Sequence, residues 1–526
     1  MTLAHKLRQL PAERLLGIRR GLEKESLRSQ PGGALALTPH PAALGSPLTH
    51  PHITTDFSES QLELITGVHA GVESCLAELT RIHQFVYREL ARAGDESLWV
   101  GSMPCGLPTD ETIPLGRYGS SNIGRAKSVY RMGLGHRYGR RMQTISGIHY
   151  NWSMPGLTNV EHFALIRNFR RHAFLLLTLF GASPAVCPTF VEGRDHGLQH
   201  MSAGTLYHPY ATSLRMGRLG YQSEAQGSLA VSYNDLDGYA ASLHEALTQP
   251  YPAYEKIGVR NLGGEYNQLA TTLLQIENEF YGSIRPKRVI KSGERPLHAL
   301  RERGVEYIEV RCMDLDPFEP VGINAQTLRF LDVFLLHCLL QDSPPDTPAE
   351  IAELGRNQHH TAAHGREPGL KLERGGQPVL LADWAQELLS ECQTIALALD
   401  EAHGDADKLD AEKSDADNHD DDRRGAYSAA VAAAMAAMAA PATLPSARAL
   451  ATIERDHDQR FTAFIRAQAE QTRNAMLALP WPAEHQANFE AMAAVSVRRQ
   501  QALEAGDEID FETFRQHYVS AAGLTV

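Results

Sequence analysis

Cysteine is scarce in this chain of 526 residues: six are present, at 75, 105, 187, 312, 338 and 392, and no two form a CxxC pair. Four sit in apolar runs and read as buried thiols, which suits a reducing compartment better than a disulfide framework. Long apolar runs are missing too. No stretch reaches the roughly 18 apolar residues of a spanning helix, so no membrane segment is expected. The N-terminal MTLAHKLRQLPAERLLG carries no apolar core of signal-peptide length, and a cytoplasmic location is expected. Several familiar motifs are also missing. There is no GxxxxGK[ST] loop, and the nearest string, GSSNIGRAK (Gly119–Lys127), lacks the Lys-Ser/Thr ending. No GxGxxG follows a strand, and neither HExxH nor GxSxG occurs. Any nucleotide must be held by a different kind of site.

Positive charge is in deficit, with 50 Lys and Arg against 63 Asp and Glu and a net charge of −13. That argues against nonspecific nucleic-acid binding, which needs a basic surface. Much of the deficit is local. Asp400 to Asp422 holds eleven acids and two lysines, nine of the thirteen excess negative charges. A mobile, solvated loop is expected there, over about residues 400–425. It lacks the glycine and closing glutamate of an EF-hand loop, so calcium is not expected.

What is present is ordinary globular composition, 43% hydrophobic and 21% charged. Residues 1–16 read as a short amphipathic helix. From 17 to about 325, strand-like runs alternate with helices: IRRGLEKESLR, LELITGV, TISGIHYNWSM, TTLLQIENEFY and GVEYIEVRCMDL are the expected strands. Helices are expected at 162–181 and 236–249. Beyond about 325 the pattern is helical, with one helix ending near Pro344 and an Ala-rich one stopped by Pro441. The strands alternate polar and apolar residues, which fits a largely antiparallel sheet with two unlike faces in an α+β fold.

Carboxylates recur two residues apart in these strands, and side chains two apart share a face. LEKES places Glu23 beside Glu25. QIENEFY would align Gln275, Glu277, Glu279 and Tyr281. In GVEYIEVRCMDL one face carries Tyr307, Glu309 and Arg311, the other Ile308, Val310 and Cys312. TTDFSESQLELITG adds Asp56 and Glu63. Carboxylates on adjacent strands repel, and some would hold protons unless a divalent cation joined them. Oxygen ligands of this kind favour Mg²⁺ or Mn²⁺ over zinc. For one pair alone, a solvated sheet face is the plainer reading. Recurrence beside arginine, tyrosine and glutamine, opposite apolar faces, favours a site. His149 shares a face with Asn151 and Ser153, and YATSLRMGRLGY supplies Arg215 and Tyr221. A lone histidine is more often structural, while an arginine fork suits a substrate carboxylate. Magnesium with few protein ligands points to phosphate chemistry and leaves the substrate open.

The strings RGLEKESLR, TTDFSESQLELITG, SMPC, YGSSNIGRAKSVYRMGLGHRYG, MQTISGIHYN, FGASPAVC, YATSLRMGRLGY, LQIENEFYGSIRPKR and GVEYIEVRCMDLDPFEPVGI, in this order, resemble the bacterial glutamate–cysteine ligase family. The resemblance covers about residues 17–340. It implies a fold similar to the catalytic part of glutamine synthetase: a curved, largely antiparallel sheet forming a funnel, wrapped by helices, with a mostly helical C-terminal third. One catalytic domain over 1–526 is expected, its core at 17–340 and a helical part at 341–526. The implied reaction joins the γ-carboxylate of L-glutamate to the amine of L-cysteine through a γ-glutamyl phosphate, with ATP as co-substrate. This is the first step of glutathione synthesis; a related ligase with another amine acceptor is the alternative. By the same resemblance, Glu23, Glu25, Asp56, Glu63 and Glu309 hold Mg²⁺, or Mn²⁺, and His149 stands close to metal or phosphate. Arg311 faces the transferring phosphoryl group. Arg215 pairs with the cysteine carboxylate, and Tyr130, Leu134, Gln143, Tyr221 and Tyr281 shape the cysteine pocket. Cys105 and Cys312 are read as packing residues. A monomer subject to inhibition by glutathione is expected.

Overall fold

The computed structural model describes residues 3–220, 224–227, 229–291, 293–411 and 425–524. In chain order its strands are β1 (Arg19–Ser29), β2 (Ile53–Thr55), β3 (Gln61–Ile65), β4 (Ser97–Leu98), β5 (Ile148–Ser153), β6 (Ala185–Val186), β7 (Gln199–Ser202), β8 (Thr205–Tyr207), β9 (Ile284–Lys287), β10 (Tyr307–Met313), β11 (Lys371–Arg374) and β12 (Gln377–Leu380). The main sheet runs β2-β3-β1-β5-β10-β9, with β4 also on β1, and every pairing is antiparallel. A three-stranded sheet, β6-β8-β7, and the hairpin β11-β12 stand apart from it. The rest is largely helix, and among the described residues the C-terminal third is mainly helical, with that hairpin as its strand element. The fold is therefore α+β, as expected.

The main sheet has a packed face and a polar face. Leu22 of β1, Leu62 and Leu64 of β3, Ile148, Tyr150 and Trp152 of β5, and Ile308 and Val310 of β10 are all buried in one apolar cluster. The helices Val72–Ala93, Asn159–Phe180 and Ala325–Leu340 contribute to the same cluster. The second of these opens with a capping box, Thr158 with Glu161, which satisfies two of its orphan amides. β1 is rich in charge, yet its packed face is buried because each charge finds a partner. Arg20 Nη2 donates to Asp332 at 2.9 Å and Tyr150 donates to the same carboxylate at 2.6 Å. Lys24 Nζ donates to Ser26 at 2.7 Å and lies 3.0 Å from His83 Nε2. Burial lowers the Lys24 ammonium to about 7.

Four expectations change. TTLLQIENEFY is not a strand. Glu277–Glu279 form a 3₁₀ turn, and both glutamates are claimed by arginines, Glu277 by Arg295 at 2.7 Å and Glu279 by Arg137 at 2.8 Å. Alternation along the string is thereby lost, and these carboxylates serve packing. The first helix is two, Leu3–Arg8 and Ala12–Leu16, divided at Pro11. The hairpin β11-β12 interrupts the helical C-terminal part, its turn made by Gly375 and Gly376 at φ 61° and 73°, the left-handed region that a two-residue hairpin needs. Cys105 and Cys187 are joined in a disulfide with Cα atoms 5.2 Å apart, so Cys105 is not a packing thiol. Cys75, Cys312, Cys338 and Cys392 are free and buried.

The acidic stretch is also corrected in part. The helix that starts at Leu381 continues to Ala411, so 400–411 are helical and not a loop. Residues 412–424 lie outside the described residues. The reason is local. Leu399 is buried, and Asp400 accepts hydrogen bonds from the amides of Tyr427 and Ser428, each at 2.9 Å, and from Ser428 Oγ. These are first-turn amides of the Ala-rich helix Ala426–Ala439, which has no side-chain cap of its own. A carboxylate there also meets the positive end of the helix dipole. Asp400→Ala is expected to lower unfolding free energy in urea by about 1–2 kcal/mol. An unchanged midpoint would return Asp400 to the status of a solvated charge.

Candidate active site

The polar face of the sheet gathers the chemistry, and register decides who meets whom. Glu25 stands opposite Glu63, Glu23 opposite His149, Asn151 opposite Glu309, and Glu309 opposite Arg285. His149 Nδ1 lies 3.0 Å from Glu23 Oε2 and 3.7 Å from Glu309 Oε1, while Nε2 is 3.8 Å from Glu25 Oε1. Asn151 Nδ2 donates to Glu23 Oε1 at 2.9 Å. The Gly147 amide donates to Glu25 Oε2 at 2.7 Å. At the other side of the face, Arg311 Nη1 and Lys287 Nζ donate to Glu309 at 2.9 and 3.1 Å. Between Val310 and Met313, β10 bulges against β5, so that Arg311 and Cys312 together face one residue of β5. The Arg311 amide continues the pairing on the β9 side, donating to the Ser283 carbonyl at 2.8 Å.

Electrostatics divides the face in two. Burial, then Asp56, pushes the Glu25 carboxyl up to about 8. Burial, then Glu23, Asp56 and Glu25, holds Glu63 well above the usual range. Glu309 is buried too, but Lys287, Arg311, His149 and Arg285 hold it well below the usual range. Glu23 is pulled up by burial and Glu309, yet the hydrogen bond with His149 leaves it below its ordinary value. Burial and the neighbouring Arg311 lower His149. Carboxylates in conflict thus lie on β1 and β3, and cations in surplus on β9 and β10.

This donor set fits a hard divalent cation. One ligand atom each from Glu23, Glu63 and His149 lie within 4.8 Å of one another. Asn151 Oδ1 is buried with no hydrogen-bond partner, an acceptor oxygen beside Glu23 that a cation or its water would satisfy. A bound cation would also offset the charge conflict that, with burial, raises Glu25 and Glu63.

Of the residues singled out in the sequence, Glu23, Glu25, Glu63, His149, Glu309 and Arg311 converge here, and Asp56 acts on Glu25 and Glu63 by its charge. Arg215 is 2% exposed, and its Nη2 donates to the Arg311 carbonyl at 2.9 Å. Its guanidinium lies against Gly147, where a Cβ would come within 2.0 Å of Nη2, so any side chain there would displace the guanidinium. Gln143 Nε2 donates to the Tyr281 hydroxyl at 2.7 Å. A cavity of about 40 Å³ is lined by His149, Arg215, Tyr281 and Arg311 among others. Tyr130 and Leu134 project from the helix Asn122–Tyr138, and burial, Glu279 and Tyr281 raise the Tyr130 phenol. Tyr221 lies outside the described residues. Sequence reasoning missed Arg285 and Lys287 as partners of Glu309. The signal was their spacing of two in SIRPK, masked by Pro286, which an edge strand such as β9 tolerates. It also missed Lys127, whose ammonium burial and Arg131 lower to about 8 against the pull of Glu63 and Asp56.

The family model described as glutamate–cysteine ligase matches residues 5–361. A glutamate–cysteine ligase of Alcanivorax borkumensis is 45% identical over 529 residues, covering 96% of each chain. One of Pseudomonas paraeruginosa is 47% identical over 523 residues, covering 96% of this chain and 94% of its own. Among solved structures, the glutamate–cysteine ligase of Francisella tularensis in complex with AMP matches with a TM-score of 0.87 and 34% identity, over 96% of this chain and 98% of that one.

Proton occupancy of Glu25 has a stability consequence. Its carboxyl titrates near 4.5 in the unfolded chain and near 8 in the metal-free fold. The folded state therefore binds the proton more tightly, and metal-free stability falls as pH rises from 4.5 to 8. Glu25→Gln is expected to raise the metal-free melting temperature relative to wild type at pH 8, and to leave the two alike near pH 4.5. A difference that does not grow with pH across this window would show that Glu25 is ionised in the metal-free fold.

Proposed function

The chain belongs to the glutamate–cysteine ligase family, and we propose that it joins the γ-carboxylate of L-glutamate to the amine of L-cysteine at the expense of ATP. The observation that carries this reading is the divided polar face, with carboxylates on β1 and β3, cations on β9 and β10, and Glu309 with Arg311 at the seam. A carboxylate is a poor electrophile. Its phosphorylation by ATP gives a γ-glutamyl phosphate, and attack by the cysteine amine on that carbonyl expels phosphate. The first step brings a carboxylate against a triphosphate, and only fixed positive charge makes that approach feasible.

Glu23, Glu25, Asp56, Glu63, Glu309 and His149 hold Mg²⁺, or Mn²⁺, in this reading. Bound there, the metal supplies charge neutralisation for the phosphates. Arg311 faces the transferring phosphoryl group, and its pairing with Glu309 fixes its direction. Lys287 adds a second cation to the same carboxylate. Arg215 takes the cysteine carboxylate. Tyr130, Leu134, Gln143 and Tyr281 enclose the rest of that amino acid. The whole chain acts as one catalytic domain, a reading supported by one apolar cluster that runs from Leu7 to Leu524. A cytoplasmic monomer inhibited by glutathione completes the proposal; among the described residues no helix is long and apolar enough to cross a membrane.

ADP release is expected with glutamate and cysteine together and to be far slower with either alone. A clear preference for an amine other than cysteine or its analogue 2-aminobutyrate would replace this reading with the related ligase. Arg311→Ala is expected to lower turnover by about 10²–10³-fold, with circular dichroism unchanged. Turnover within a few-fold of wild type would make Arg311 a structural partner of Glu309.

A further inference from the structure

We propose that Asp314 is a positioning residue that fixes the Arg215 guanidinium for the carboxylate of the amine substrate. The proposal rests on the reading above that Arg215 takes that carboxylate.

Asp314 is buried and lies three residues beyond Arg311 on the same segment. Its Oδ2 accepts from the Ala182 amide at 2.9 Å and from Ser183 Oγ at 2.7 Å. Its Oδ1 accepts from Ser213 Oγ at 2.9 Å and stands 3.9 Å from Arg215 Nη1. Ser213 caps the 3₁₀ turn Leu214–Met216, accepting from the Met216 amide at 3.3 Å. The Leu214 amide donates to the Ser183 carbonyl at 2.7 Å. Both serines bonded to Asp314 thus also bond the turn that carries Arg215. The guanidinium in turn donates to the Arg311 carbonyl.

One carboxylate therefore ties three segments, the end of the helix Asn159–Phe180, the Arg215 turn and the strand that bears Arg311. At 3.9 Å it acts on the guanidinium by charge and not by a hydrogen bond. Arg215 also acts by its charge on Glu25 of the carboxylate cluster. The amine site is thus built as a rigid extension of the Arg311 strand, with Asp314 as the joint.

The test compares cysteine with 2-aminoethanethiol, which is cysteine without its carboxylate. Asp314→Asn keeps the shape and removes the charge. It is expected to lower kcat/KM for cysteine by about tenfold, through KM, while kcat/KM for 2-aminoethanethiol and KM for glutamate and ATP stay within about twofold. Equal losses with both amines would make Asp314 a residue of the fold and overturn the proposal, as would an unchanged value with cysteine. Arg215→Gln separates this from the underlying reading. If it leaves the preference for cysteine over 2-aminoethanethiol intact, Arg215 does not take the carboxylate and both readings fall. If it abolishes the preference and Asp314→Asn leaves it unchanged, only the positioning role falls. Should Asp314→Asn fail to fold, Ser213→Ala removes one of the three bonds together with the cap on the Met216 amide. It is expected to show the same selective loss at about threefold, and equal losses with both amines would again overturn the proposal.

Discussion

The constraint on which this structure turns is the repulsion among carboxylates on one face of a buried sheet. Antiparallel register sets Glu25 against Glu63, and Asp56 adds a third charge nearby. Burial and then this repulsion raise Glu25 and Glu63 toward holding protons, while Glu309, surrounded by cations, is lowered. The sheet therefore carries a built-in demand for a cation at one side and an offer of cations at the other. A reaction that must bring phosphate and carboxylate together uses both.

Such a face destabilises the fold that bears it, so the stabilisation comes from the opposite side. There Leu22, Leu62, Tyr150, Trp152 and Ile308 are buried under helices, and the charges that intrude are neutralised, as Arg20 is by Asp332. That pair strongly specifies the docking of the helix Ala325–Leu340, because breaking a buried pair strands one charge. The C-terminal helices extend the same core. Asp400, within one of them, caps the first turn of another, which ties part of the acidic stretch to the architecture. The acidity of a segment did not make its first residue a solvated one.

Much of the site was legible in the chain. Alternation is a property of extended backbone, so Glu23 with Glu25 and Glu309 with Arg311 could be put on single faces from spacing alone. Where the backbone was not extended, the same inference failed. Glu277 and Glu279 have the right spacing, but a 3₁₀ turn and two arginines remove them from the face. Arg285 and Lys287 went unnoticed because Pro286 disguised an edge strand. The pairing of Cys105 with Cys187, 82 residues away, had no local signal at all.

The sequence by itself determined which residues could share a face and, through its resemblance to a family, which chemistry they would serve. Local backbone geometry is encoded locally, and long motifs carry their history with them. Only the tertiary structure decided which faces meet: that His149 lies between Glu23 and Glu309, that Lys287 answers Glu309, and that Asp314 sits behind Arg215. Those are distances between segments far apart in the chain. They follow from register, a bulge in β10 and the packing of helices on the other face, none of which a one-dimensional pattern contains.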